Sequence, residues 1–145
     1  MIIKYLKYFF ILVFVGCQTP GFIIEESNFS VKQHRIAITA ALGQVRSVSE
    51  NGRVIQSYYH DRTFKGFEVT PKTKERLYTQ VVILGARRPY RVSVEVHIER
   101  RDPDTKRFQD IGLEDSLGRK RAVDIKNMLN QSRDSGSVFD EEVPF

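Results

Sequence analysis

The chain has 145 residues, one cysteine and no tryptophan, with 23 Lys and Arg against 18 Asp and Glu for a net charge of +5. That length suits one small domain, and a lone cysteine excludes an internal disulfide, so the fold must rest on an apolar core. The positive excess is modest and Lys4 and Lys7 supply two of its charges, so composition points weakly to an anionic partner such as lipid headgroups or cell-wall material.

Residues 1–17 come first in the chain and in importance. Lys4 and Lys7 form a short cationic start, residues 9–15 are an unbroken apolar run, and Gly16 stands before Cys17. A positive segment, a short apolar segment and a small-residue cleavage site make a secretory signal. A spanning helix needs about 20 apolar residues, and Gln18-Thr19-Pro20-Gly21 breaks the run too early. Phe14-Val15-Gly16-Cys17 resembles the lipobox of bacterial lipoprotein signal peptides, with Phe14 where that family favours Leu. The resemblance implies that residues 1–16 are removed as a signal peptide. It further implies that Cys17 receives a thioether-linked diacylglycerol and then an acyl group on its amine. Several acyl chains anchor firmly, since each buried methylene is worth about 0.8 kcal/mol. Gln18 is not the aspartate associated with inner-membrane retention, so the resemblance places the protein on the outer membrane, facing the periplasm. The partners it implies are the membrane, through Cys17, and an envelope protein or anionic envelope component. Nucleic acid is not expected.

Residues 17–28 read as a lipidated tether, in which Phe22-Ile23-Ile24 either docks on the domain or pairs as an edge strand. A single domain follows at 29–133. Ser30-Val31-Lys32-Gln33 is a capping box, and Val31, His34, Ile38, Ala41, Leu42 and Val45 recur at helical spacing. Gly43 is placed to end that helix with a left-handed cap. His34 is expected half-buried and hydrogen-bonded. Asn51-Gly52 between two β-prone runs predicts a hairpin with a type I′ turn, its first arm polar enough for a sheet edge. Residues 61–75 form a loop in which Lys65, Lys72 and Lys74 alternate with Phe64 and Phe67, the two rings sealing the edge of the core.

A second hairpin pairs residues 76–84 with 90–100. Tyr90, Val92, Val94, Val96 and Ile98 alternate with Arg91, Ser93, Glu95, His97 and Glu99, one dry face and one wet. The partner strand carries apolar residues on both faces and so belongs in the middle of the sheet. Residues 101–112 read as a polar loop with a turn at Asp102-Pro103-Asp104. A second helix over 113–131 presents Leu117, Arg121, Ala122, Ile125, Met128 and Leu129 on one side, with Gly118 either a weak point or a place of close packing. Residues 134–145 are acidic and read as a disordered tail.

The fold class expected is α+β, an antiparallel sheet of about four strands with two helices packed on one face. Element order and anchor are similar to small accessory lipoproteins of outer-membrane biogenesis, which implies a non-enzymatic assembly role by analogy alone. The residues show no catalytic set. His34, His60 and His97 fall on different elements, no nucleophile elbow or phosphate-binding glycine loop occurs, and Asp102-x-Asp104 lacks the other ligands of a calcium loop. No catalytic residue, metal or cofactor is therefore expected. The candidate binding residues are Arg87, Arg88 and Arg91 at one end of the second hairpin and Arg100 and Arg101 at the other, roughly 30 Å away. Arg119-Lys120-Arg121 can join either group. Guanidinium forks suit carboxylate and phosphate. A carrier or sensor of a small anionic or lipidic ligand, held between sheet and helices, is the alternative reading, and a hydrolase the least favoured.

Overall fold

A computed structural model describes residues 21–134. The expected signal segment, Cys17 and the expected acidic tail beyond Asp134 lie outside the described residues. In chain order the elements are β1 (Phe22–Ser27), α1 (Val31–Leu42), β2 (Val45–Val48), β3 (Val54–Ser57), β4 (Glu75–Leu84), β5 (Tyr90–Arg101), β6 (Phe108–Leu113) and α2 (Asp115–Asp134). The architecture is α+β. One antiparallel sheet runs β1-β5-β4-β3-β2, with β6 also on β5, and both helices share a core with one of its faces.

The sheet has six strands where about four were expected, and both additions lie on β5. β4 covers one side of β5 from Leu84↔Arg91 to Glu75↔Arg100. The other side would leave a row of unpaired amides, and two short segments share it. β1 takes the first half, Phe22 opposite Val94 and Ser27 opposite Tyr90. β6 takes the second, Leu113 opposite His97 and Phe108 opposite Arg101. Between them the Glu114 amide donates to Val96 O at 2.8 Å. Half of the expected tether, Phe22–Ser27, is thus strand, and the expected loop at 101–112 is half strand. The β6 sequence hides this because it lacks clean alternation. Its pairing shifts register between Ile98 and Glu99, and Gly112 adopts φ +137°.

α1 begins as its sequence dictates. The Gln33 amide donates to Ser30 Oγ at 3.2 Å and the Ser30 amide to Gln33 Oε1 at 2.7 Å. Gly43 ends it with φ +75° and ψ −94°, its N–H reaching Thr39 O. The positive φ is as expected but the ψ is not that of the left-handed cap. His34 is fully buried, not half-buried. Its Nδ1–H donates to Ser30 O at 2.9 Å, and Phe29 and Tyr90 meet its ring edge-on.

The first hairpin forms with β2 at the sheet edge, but its turn is not type I′. Gly52 has φ +69° while Asn51 keeps a negative φ. Ser49 accounts for the change. Its amide donates to Val54 O and its carbonyl accepts from Gly52, each at 2.8 Å, and its hydroxyl accepts from the Val54 amide at 2.9 Å. The loop is therefore longer than a two-residue turn.

The core gathers Ile38 of α1, Ile55 of β3, Val81 of β4, Val94 of β5 and Ile125 of α2, all fully buried. Each contributes about 1.5–3 kcal/mol of burial. Gly118 is a place of close packing, since a Cβ there would stand 3.1 Å from Phe22 Cδ2. Glycine lets α2 lie against β1. Among the described residues no helix is long and apolar enough to cross a membrane.

Candidate functional site

The two ends of the β4–β5 hairpin treat their arginines differently. At the open end, Arg101 Nε donates to Thr73 O at 2.8 Å, Nη2 to Thr70 O at 2.9 Å and Nη1 to Lys106 O at 3.3 Å. Its guanidinium also lies 4.5 Å from the Phe108 ring centre. Arg100 reaches Glu75 at 3.3 Å. Glu75 also meets Arg62 at 3.1 Å, and Arg62 reaches Glu114 at 2.7 Å, which holds the Glu114 carboxyl below its usual range. Arg100 and Arg101 thus tie loops and elements together. At the turn end, Arg87, Arg88 and Arg91 are exposed. Among the described residues none of these three side chains makes a hydrogen bond or an ion pair. Arg53 donates to Gly85 O and lies 5.2 Å from the Tyr90 ring centre. The five candidate arginines therefore form one structural pair and one free trio.

The sheet face away from the helices is roofed by its own side chains. Arg46 lies 4.5 and 4.9 Å from the ring centres of Tyr59 and Tyr78. Arg76 sits 3.8 Å from both Tyr59 and Phe108 and is paired with Glu99 at 2.6 Å. The Tyr78 and His97 rings stack at 4.8 Å and 5°, and Gln56 donates to Gln80 at 2.9 Å. Such contacts are worth about 0.5–1 kcal/mol each where exposed, and more where desolvated. The arrangement is invisible in sequence because Arg46, Tyr59, Arg76 and Phe108 come from separate segments with no common spacing. On this face His97 meets Asp110 at 2.7 Å and Glu95 at 3.3 Å. Glu99, which shares its face in the sequence, is taken by Arg76. Asp110 replaces it from a strand that reads as loop.

A third feature lies behind loop 61–66. The Asp61 carboxylate accepts from the Thr63 amide at 2.7 Å, the Thr63 hydroxyl at 2.6 Å and the Lys65 amide at 3.1 Å. These bonds, the Thr63 hydroxyl first, hold its carboxyl below the usual range. They also fix Phe64 at φ +63°, a left-handed conformation that costs a non-glycine residue about 1–2 kcal/mol. The Phe64 ring centre lies 5.2 Å from that of His60 and 3.9 Å from the Arg121 guanidinium. His60 donates from Nδ1 to Asp61 O at 2.8 Å and accepts at Nε2 from Thr79 Oγ1 at 3.0 Å. Burial pushes its pKa down and the nearby Arg121 charge adds to this, so it is held neutral. The basic run at 119–121 joins neither arginine group. Arg119 lies over Phe22, Lys120 near Phe64, and Arg121 turns inward with 6 % exposure.

No protein-family model matches the chain, and no curated protein matches it. Function therefore rests on the geometry and chemistry of the site. Among the described residues no three His, Cys, Asp or Glu side chains gather as a metal would require. His97 has two carboxylates in reach, those of Glu95 and Asp110. The trio at the turn end offers free cationic forks, which suit recognition of carboxylate or phosphate.

Proposed function

We propose that the chain is a lipid-anchored, non-enzymatic binding and scaffolding module of the bacterial cell envelope. It is held through Cys17 on the outer membrane, faces the periplasm, and engages an envelope protein or anionic envelope component through Arg87, Arg88 and Arg91. The observation that carries this reading is the contrast between the hairpin ends. The arginines that serve the fold have internal partners, whereas these three are exposed and have none. The position of β1 supports it. Five residue steps separate Cys17 from Phe22, which span at most about 17–18 Å, so an acylated Cys17 keeps the domain beside the bilayer. β1 then runs toward the turn end, Ser27 lying opposite Tyr90.

The test has two arms. Intact mass of membrane-extracted protein should begin at Cys17 and carry acyl chains, and Cys17→Ala should release the protein from the membrane fraction. An unmodified mass beginning at Met1 ends the anchor reading. The triple variant Arg87→Glu, Arg88→Glu, Arg91→Glu should keep the anchor and the fold while losing the envelope component that co-purifies with the wild type. Equal recovery with both proteins ends the assignment of the surface.

A further inference from the structure

We propose that the cleft beside Arg121 is a binding site for a small monocarboxylate with a short apolar or aromatic body. This site is independent of the anchor and of the turn-end arginines. A cleft of about 310 Å³ opens between the end of α1, the end of β3 and loop 61–66, walled by Gln44, Tyr58, His60, Phe64, Gly66 and Arg121. Among the described residues Arg121 is the one permanent charge in its lining.

That charge is only partly matched internally. A guanidinium has five N–H donors and stays protonated in proteins. Nη1 donates to Ala41 O at 2.9 Å. Asp124 forms a loose ion pair with Nη1 at 3.9 Å, its side chain 45 % exposed, beyond hydrogen-bond distance. Nε is buried and meets no acceptor among the described residues. The Phe64 ring and the C-terminal end of α1 offset part of the charge. Capping α1 explains Nη1 alone. It leaves Nε without a partner, and it explains neither the open cleft nor the aromatic held over the guanidinium at an unfavourable φ. Removing a cation from water without a full set of partners is unfavourable. A carboxylate is planar and accepts two parallel N–H bonds from such a fork. The aromatic walls at Tyr58 and Phe64 suit an apolar stem rather than a second charge, which favours a monocarboxylate over phosphate.

The test is an amide NMR titration of the full chain with sodium benzoate, beside sodium phosphate at equal ionic strength. The wild type should give saturable shifts at Gly43, Gln44 and Gly66 with a Kd of about 1 mM or tighter, and phosphate at least tenfold weaker. Arg121→Gln should weaken benzoate binding at least tenfold. Because that variant removes a buried contact and can fail to fold, Gly66→Val is the second probe. Its Cβ meets only Gln44 Oε1 at 3.7 Å and Tyr59 O at 3.8 Å, so the fold and the Arg121 cap stay intact while the cleft narrows, and binding should again fall at least tenfold. Shifts that do not saturate by about 20 mM, equal shifts in wild type and Gly66→Val, or phosphate binding as tight as benzoate would each overturn the proposal.

Discussion

The two ends of the β4–β5 hairpin carry the same residue type to opposite purposes. Arg101 is surrounded by backbone, because the chain before β4 and the chain before β6 both pass it and present carbonyls. Arg87, Arg88 and Arg91 stand at a turn where Gly85 O is taken by Arg53, and among the described residues none of the three side chains makes a hydrogen bond or an ion pair. An arginine's role here follows from what its neighbours leave unpaired, not from its exposure to one face or the other. The comparison predicts stability effects at one end and binding effects at the other.

The sharpest break would come from Arg101→Ala. Loss of three carbonyl contacts and the Phe108 stack should lower unfolding stability by about 2–3 kcal/mol in urea denaturation. A loss below about 0.5 kcal/mol would mean that the open end is as loosely held as the turn. The next effect is a pH dependence. Burial pushes the pKa of His34 down, and the Arg88 charge adds to it. Burial does the same for His60, which faces Arg121 and Asp61. Both are neutral in the folded state but accept protons near pH 6.5 when unfolded. The unfolded state therefore binds more protons below that value. Stability should be complete above about pH 7 and fall on acidification, by up to about 1.4 kcal/mol per pH unit for each histidine until its lowered folded pKa is reached. His34→Phe, which can keep the edge contacts with Phe29 and Tyr90, should flatten the curve between pH 7 and pH 5 in urea midpoints, and an unchanged slope would contradict the burial argument. Arg100→Ala should be smaller, below about 1 kcal/mol, since its ion pair with Glu75 is largely exposed. Smallest of all, Arg87→Ala, Arg88→Ala and Arg91→Ala should each stay within about 0.5 kcal/mol in the same assay. A loss at Arg88 as large as that at Arg101 would erase the distinction between the ends.

What could be read from the chain alone has one character. The capping box at Ser30, the stop at Gly43, the stripe through Leu117, Arg121, Ile125 and Leu129, and the alternation along β5 are signals contained within a single element. Periodicity and capping act over a few residues, so sequence spacing reports them directly. The central place of β4 was legible for the same reason, as apolar residues on both faces mean cover on both sides.

The site was legible only in part. Arg87, Arg88, Arg91, Arg100 and Arg101 stand out as residues, but nothing in their spacing separates the free trio from the structural pair. That split depends on carbonyls of Thr70, Thr73 and Lys106. The Asn51-Gly52 signal predicted a hairpin correctly and its turn type wrongly, because the Ser49 hydroxyl and backbone form a longer loop. Local sequence thus determined the helices, the two hairpins, the dry and wet faces and the α+β class. Tertiary structure alone decided that β1 and β6 share one side of β5, that Asp110 and not Glu99 meets His97, and that Phe64 lies over the Arg121 guanidinium. These are meetings between segments distant in the chain. They are set by which backbone groups and which apolar surfaces remain unsatisfied once the local elements have formed.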